Sequence, residues 1–239
     1  MHRVRGSSIR SWSAGILLVT LGGAAQSATA PDLSGYWQAI RPPEAIKTLT
    51  GALPPLLPEA RSTYDANRRA RAAGDLSYDT TNRCLPPGVP RLMYQNEPFQ
   101  VIQRAGFVFM LFEYQHLNRQ IFLRQDHVSS ALGRRFLGDS IAQWDGDTLV
   151  VDTTGQKDAT LLDAAGLPHS RDLHVTERYR LTHSGSQLEA LIRIEDARSY
   201  EQPWETRLSF KRLKKVDFKE DVCADRHPQW LQDAMRADQ

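Results

Sequence analysis

IAQWDGDTLVVDTTGQKDATLLDAAGLPHSRDLHVTERY, residues 141–179, holds two strand-like parts separated by a polar loop. The first part is a hairpin. Runs 141–144 and 148–153 flank Asp145-Gly146-Asp147, and Asp-Gly between apolar runs is a strong short-range hairpin signal. The second part, 173–181, alternates strictly and sets Leu173, Val175, Glu177, Tyr179 and Leu181 on one face. That face is apolar except for Glu177, so a carboxylate is aimed at a core or a cavity. A barrel enclosing a ligand pocket is the simplest fold that tolerates it.

The pattern extends outward from there. Further strands are predicted at 32–40, 99–104, 107–114, 119–124, 187–195 and 204–212. Turns fall at Ala105-Gly106 and Ser184-Gly185. Closely spaced strands without intervening helices predict a mainly β protein, an antiparallel meander closing into a lipocalin-like barrel. One helix is expected at 58–73, with Pro58 in its first turn and Gly74 after its end, and a second at 227–237. Residues 41–98 otherwise read as a loop-rich segment packed on the barrel, with Pro86-Pro87-Gly88-Val89-Pro90 as a stiff stretch.

The first 30 residues read differently. Arg3, Arg5 and Arg10 precede a short apolar run, and small residues follow at Ala25, Ser27, Ala28 and Ala30. This is the pattern of a secretory signal peptide, with a cut after Ser27 or Ala30. A single domain, 31–239, is then expected in the periplasm or outside the cell, with no membrane span. Those three arginines are the only charged residues of the leader, so its loss takes the formal charge from +2 to −1. Nothing in that balance points to nucleic acid. Cys84 and Cys223 are the only cysteines, and in an oxidising compartment an even pair is most simply one disulfide.

Candidate chemistry follows from the charged groups on apolar faces. Glu113 shares a face with Phe107, Phe109 and Leu111; Arg119 with Ile121 and Leu123; Asp152 with Val150. With Glu177 these make four charges expected at the mouth of the barrel, although a Glu113–Arg119 pair is equally a buried salt bridge. His116 and His169 lie in adjoining turns, while His174, three residues from Glu177 on a strand, points to the opposite face. Catalytic roles are therefore expected for Glu177, His169, Glu113, Arg119 and His116, and ligand contacts for Tyr114, Asp152, His174 and Tyr179. There is no compact metal motif, no Gly-x-Ser-x-Gly elbow and no glycine-rich phosphate loop. The expected activity is acid–base chemistry without an organic cofactor or metal, a lyase, isomerase or hydrolase reaction on a small apolar or aromatic molecule. The alternative is a binding protein in which the same charges only orient a ligand.

Two resemblances add to this. Gly35-Tyr36-Trp37 in the first strand resembles the Gly-x-Trp signature of lipocalins, which implies that Trp37 closes one barrel end against an arginine of the last strand, here Arg207 or Arg212. The blocks WDGDTLVVDTTG (144–155) and LPHSRDLHVTERYR (167–180) are similar to a family of secreted bacterial hypothetical proteins without an assigned activity. That likeness implies a secreted domain and draws attention to the same segments.

Overall fold

The computed structural model describes residues 1–2, 30–127 and 133–226 of the chain. Most of the expected leader and the expected helix at 227–237 lie outside the described residues.

Nine strands close into a barrel: β1 (Gly35–Ala39), β2 (Phe99–Arg104), β3 (Phe107–Phe112), β4 (Asn118–Phe122), β5 (Asp139–Asp145), β6 (Thr148–Thr154), β7 (His174–Thr182), β8 (Gln187–Glu195) and β9 (Trp204–Leu213). Each neighbours the next, and β9 returns to β1 with Trp37 opposite Arg212. All nine expected strands are present. Pairing is antiparallel except between β4 and β5, which run parallel from Ile121 opposite Ser140.

The barrel interior is filled by alternate residues. Val101, Val108, Met110, Ile121, Leu149, Val151, Val175, Leu188, Ala190, Ile192, Ile194 and Phe210 are essentially inaccessible. On β3 the inward set is Val108, Met110 and Phe112, so Phe107, Phe109 and Leu111 lie on the outer face. This reverses the expected facing. The strand reads FVFMLF and is apolar on both sides, so alternation alone could not orient it.

Trp37 closes one end of the barrel. Its ring is fully buried, its indole N–H donates to Leu33 O at 3.0 Å, and the Arg212 guanidinium lies 4.2 Å over its face. Arg212 in turn donates to Ser34 O at 2.7 Å and to Gly185 O at 2.8 Å. The position before Tyr36 must be glycine. Gly35 has φ +136, and a Cβ there would stand 2.6 Å from Arg212 Nη1.

The other end is covered by loops and by α1 (Pro58–Ala72). Pro58 opens the helix, Glu59 sits in its first turn and Arg69 and Arg71 in its last, as the helix dipole favours. Only Ala60 and Tyr64 are buried, so α1 is a surface helix. Asp163 fastens the loop after β6 to the segment before α1. Its buried carboxylate accepts the amides of Leu167 and Ile46, each at 2.9 Å, and burial raises its pKa. Among the described residues no helix is long and apolar enough to cross a membrane.

After β9 the chain runs as a strap along the outside of the barrel. Phe218 meets Tyr36 edge to face at 6.1 Å, and a disulfide joins Cys223 to Cys84.

Candidate functional site on the outer wall

The residues singled out in the sequence fall into four separate places. Inside the barrel, Arg119 from β4 and Glu177 from β7 form a bidentate ion pair, with both side chains at most 1% exposed. Tyr179 donates to Glu177 Oε1 at 2.7 Å. Ser140 and Thr153 accept from the Arg119 guanidinium at 3.2 and 2.9 Å. Burial and the negative charge of Glu177 push the Tyr179 phenol well above its usual range. Arg119 loses some proton affinity to burial, but the Glu177 carboxylate outweighs this and raises its pKa. Each group is saturated by its neighbours. The buried salt bridge is therefore Arg119–Glu177, not Arg119–Glu113.

Glu113 and His116 dock the strap. Glu113 lies just past β3, and its Oε2 accepts the Lys219 amide at 3.0 Å; His116 Nε2 stands 3.1 Å from Lys219 O. The Gln115 amide donates to Asp221 at 2.6 Å, and the Gln115 side chain donates to the Tyr114 hydroxyl at 3.2 Å. His169 is buried in the loop after β6. It donates from Nδ1 to Ser170 O at 2.8 Å, and Nε2 stands 2.8 Å from the Thr160 hydroxyl, which also lies 3.0 Å from Lys157 O. Burial lowers its pKa, so it is held neutral. Ser170 is fixed by Asp196, whose two oxygens accept its amide at 2.6 Å and its hydroxyl at 2.7 Å. These contacts join neither His169 nor His116 to Glu177.

The fourth place is the outer wall. Val151, not Asp152, pairs with Glu177 and shares its face, so Asp152 points outward, contrary to the inward facing expected of it. On β6 the residues Leu149, Val150 and Val151 are apolar on both faces, and periodicity gives no facing. His174 also points outward, as its spacing from Glu177 predicts. Its Nε2–H donates to Asp152 Oδ1 at 2.6 Å, while its Nδ1 is 3.6 Å from Glu195 Oε2. About 36% of the His174 side chain and 40% of Asp152 are exposed, which leaves both within reach of a ligand.

A chain of charges extends from this pair. His127 stands 3.4 Å from Asp152 and lies 2.9 Å from Asp139, which also accepts from Arg124 at 3.0 Å. The hydrogen bond to Asp152 raises the His174 pKa against the effect of partial burial. Partial burial works to raise the Asp152 pKa, but His174 and His127 outweigh it and hold the carboxyl below its usual range. Sequence reading missed His127, Asp139, Arg124 and Glu195. The outward facing of His174 was the available signal, because it named the wall on which its partners had to lie.

Clefts of about 570 and 480 Å3 lie beside the segment 43–55, away from all of these residues, and three others open on the outer pair. His174 lines one of about 820 Å3 and another of about 400 Å3, and Asp152 lines a third of about 350 Å3. None of these is lined by Glu177, Arg119, Glu113, His116 or His169. Clefts of this size suit small molecules. Among the described residues no three His, Cys, Asp or Glu side chains converge to hold a metal ion.

The fold thus defines a lipocalin-like barrel, with its polar groups divided between a sealed interior and an open outer wall. No family model matches the chain, and no curated protein matches its sequence.

Proposed function

We propose that the protein is a secreted enzyme that performs acid–base chemistry on a small molecule at the His174–Asp152 pair, without an organic cofactor. The observation that carries this reading is the 2.6 Å hydrogen bond between a partly exposed histidine that lines two clefts and a partly exposed carboxylate that lines a third. Asp152 fixes the tautomer. With Nε2–H engaged, Nδ1 is the atom that takes or gives a proton. Glu195, 3.6 Å from Nδ1, steadies the imidazolium that results. The hydrogen bond to Asp152 raises the His174 pKa and so favours the imidazolium form. The inner charges are better suited to hold the barrel, since Glu177 is saturated by Arg119 and Tyr179. Secretion is supported by the leader-like N-terminus, by the Cys84–Cys223 bond and by the likeness to a secreted bacterial family.

The test is a mass-spectrometric screen of the mature protein against small carbonyl, carboxylate and aromatic compounds. On any converted compound, His174→Gln should lower turnover about 100-fold or more, the usual contribution of one general acid–base group. Unchanged turnover in both His174→Gln and Asp152→Asn would discard the site. Saturable binding without any conversion would assign the alternative, a lipocalin-like binding protein.

A further inference from the structure

We infer that the largest cleft beside His174 is an anion site, and that its ligand is a small organic anion carrying a carboxylate or a phosphate. The charge arrangement carries this. Three acids line the cleft, and each is already neutralised. Asp139 is held by Arg124 at 3.0 Å and by His127 at 2.9 Å, Asp158 by Arg171 at 3.4 Å, and Asp172 by Arg198 at 2.7 Å.

Three cations in the same lining have no carboxylate among the described residues. Arg134 donates only to backbone carbonyls, Arg171 O at 2.5 Å and Gln156 O at 3.4 Å. Lys157 rests 4.3 Å over the Phe136 ring. The Arg135 side chain is exposed, and its partners are backbone ones. The lining thus carries Arg134, Arg135, Lys157 and Arg171 against Asp139, Asp158 and Asp172, and because Arg124 and Arg198 reach Asp139 and Asp172 from outside it, Arg134, Arg135 and Lys157 are left without a carboxylate among the described residues. Each like charge placed beside another costs stability, so a surface that keeps three together is suited to a counter-charge from outside.

The cations also stand on a fixed scaffold. Arg135 and Gln156 form a parallel bridge, with the Arg135 amide donating to Gly155 O at 3.1 Å and the Lys157 amide to Arg135 O at 3.0 Å. Gly138 closes this unit with φ +68, and a Cβ there would stand 2.5 Å from Thr154 O. The spacing of Arg135 and Lys157 is thus set by backbone, which reduces the entropic cost of gathering them around an anion. Arg forks and Lys ammonium groups are the usual partners of carboxylate and phosphate. A volume of about 820 Å3 leaves room for an organic body beyond the anionic group, and that body extends toward His174.

The inference rests on the proposed function only in taking His174 as the group that acts on the bound anion. Binding itself depends on the cations. The test is calorimetric titration of the full mature protein with phosphate, with succinate, with neutral glycerol and with cationic putrescine, at one ionic strength because salt screens such contacts. Phosphate or succinate should bind saturably, the tighter of the two naming the anionic group, while glycerol and putrescine should not. Arg135→Ala/Lys157→Ala should weaken that binding about tenfold or more, as loss of hydrogen bonds to a charged group predicts, without changing the melting temperature. His174→Gln should leave it nearly intact. The inference is overturned if neither anion saturates, or if the double substitution leaves binding unchanged. Anion binding that survives while His174→Gln has no effect on turnover would remove the catalytic reading and keep this one. Turnover that depends on His174 yet ignores Arg135→Ala/Lys157→Ala would do the reverse.

Discussion

Glu177 and His174 lie three residues apart on β7 and face opposite sides of one barrel wall. Both carry a strong charge-assisted hydrogen bond, yet their surroundings give the two bonds different work. Glu177 and Arg119 are shut away from water and accept or donate only among themselves, Tyr179, Ser140 and Thr153. Removing either partner strands a charge in a medium that cannot solvate it. His174 and Asp152 are open to solvent, so their bond is screened and of small value to stability, but the atoms are accessible to a ligand. The side of the sheet thus decides whether a polar pair in this barrel is sealed into the framework or left within reach of solvent and ligand.

The largest expected effect breaks the inner pair. Glu177→Gln should destabilise the fold by about 3–5 kcal/mol, because Arg119 loses its counter-charge while staying buried. Urea unfolding measures it. Replacing both partners by apolar residues, Arg119→Met with Glu177→Leu, should recover a large part of that loss, since a buried ion pair exchanged for packed hydrophobic groups is often near neutral. A Glu177→Gln variant as stable as the parent would show that the two sides of the wall do not differ as described.

The next effect concerns the strap, which spans the outside without touching the outer pair. Cys84 and Cys223 are 139 residues apart, and the bond between them restricts a long stretch of the unfolded chain. Cys84→Ser/Cys223→Ser should cost about 2–4 kcal/mol, read as a lower melting temperature. It should also loosen Glu113 and Asp221 on Lys219 and Gln115. Turnover at His174, measured well below the new melting point, should persist. Its loss on opening the disulfide would tie the strap to the chemistry and blur the division between framework and site.

Much of this fold can be read from residue order. Strand positions follow from alternation and from turns such as Asp145-Gly146; the resemblance of Gly35-Tyr36-Trp37 to the lipocalin signature implied closure by Arg207 or Arg212, and Arg212 is the one that lies over Trp37. Facing was legible only where one side of a strand is polar. On β7, Thr176, Arg178 and Arg180 oppose Val175, Glu177 and Tyr179, and the inward carboxylate stands out. On β3 and β6 both sides are apolar, and there Phe107, Phe109 and Asp152 were set facing inward against the register observed. Pairing across the barrel was not legible at all. Arg119 and Glu177 are 58 residues apart, and only closure of the sheet brings them together. The cleft cations were hidden for a related reason, since Arg134 and Arg135 look like ordinary solvated charges until the Arg135–Gln156 bridge sets them beside Lys157.

The smallest effect is the one that sharpens the comparison most, because it reads the outer pair by its titration alone. The His174 pKa is raised above 6.5 in the fold, chiefly by its hydrogen bond to Asp152. Its contribution to stability is therefore fully present below that unfolded value and is lost as pH rises through the folded one. Asp152 is held below 3.8, where its His partners outweigh partial burial, so its contribution is present above that value and fades as pH falls through the lower one. The pair should stabilise most between the two unfolded values. For groups this exposed the gain is about 0.2–1 kcal/mol. The parent protein alone will not reveal it, because His169 has a pKa lowered by burial and loses stability as pH falls below 6.5. Subtracting the stability of His174→Gln from that of the parent at each pH cancels His169 and leaves the pair. That difference should be largest between pH 3.8 and 6.5, shrink as pH rises past 6.5 through the raised His174 pKa and narrow again as pH falls past 3.8 through the lowered Asp152 pKa. A difference that stays flat across this range would mean that His174 and Asp152 are not coupled in solution, and the proton-handling role assigned to them would lose its basis.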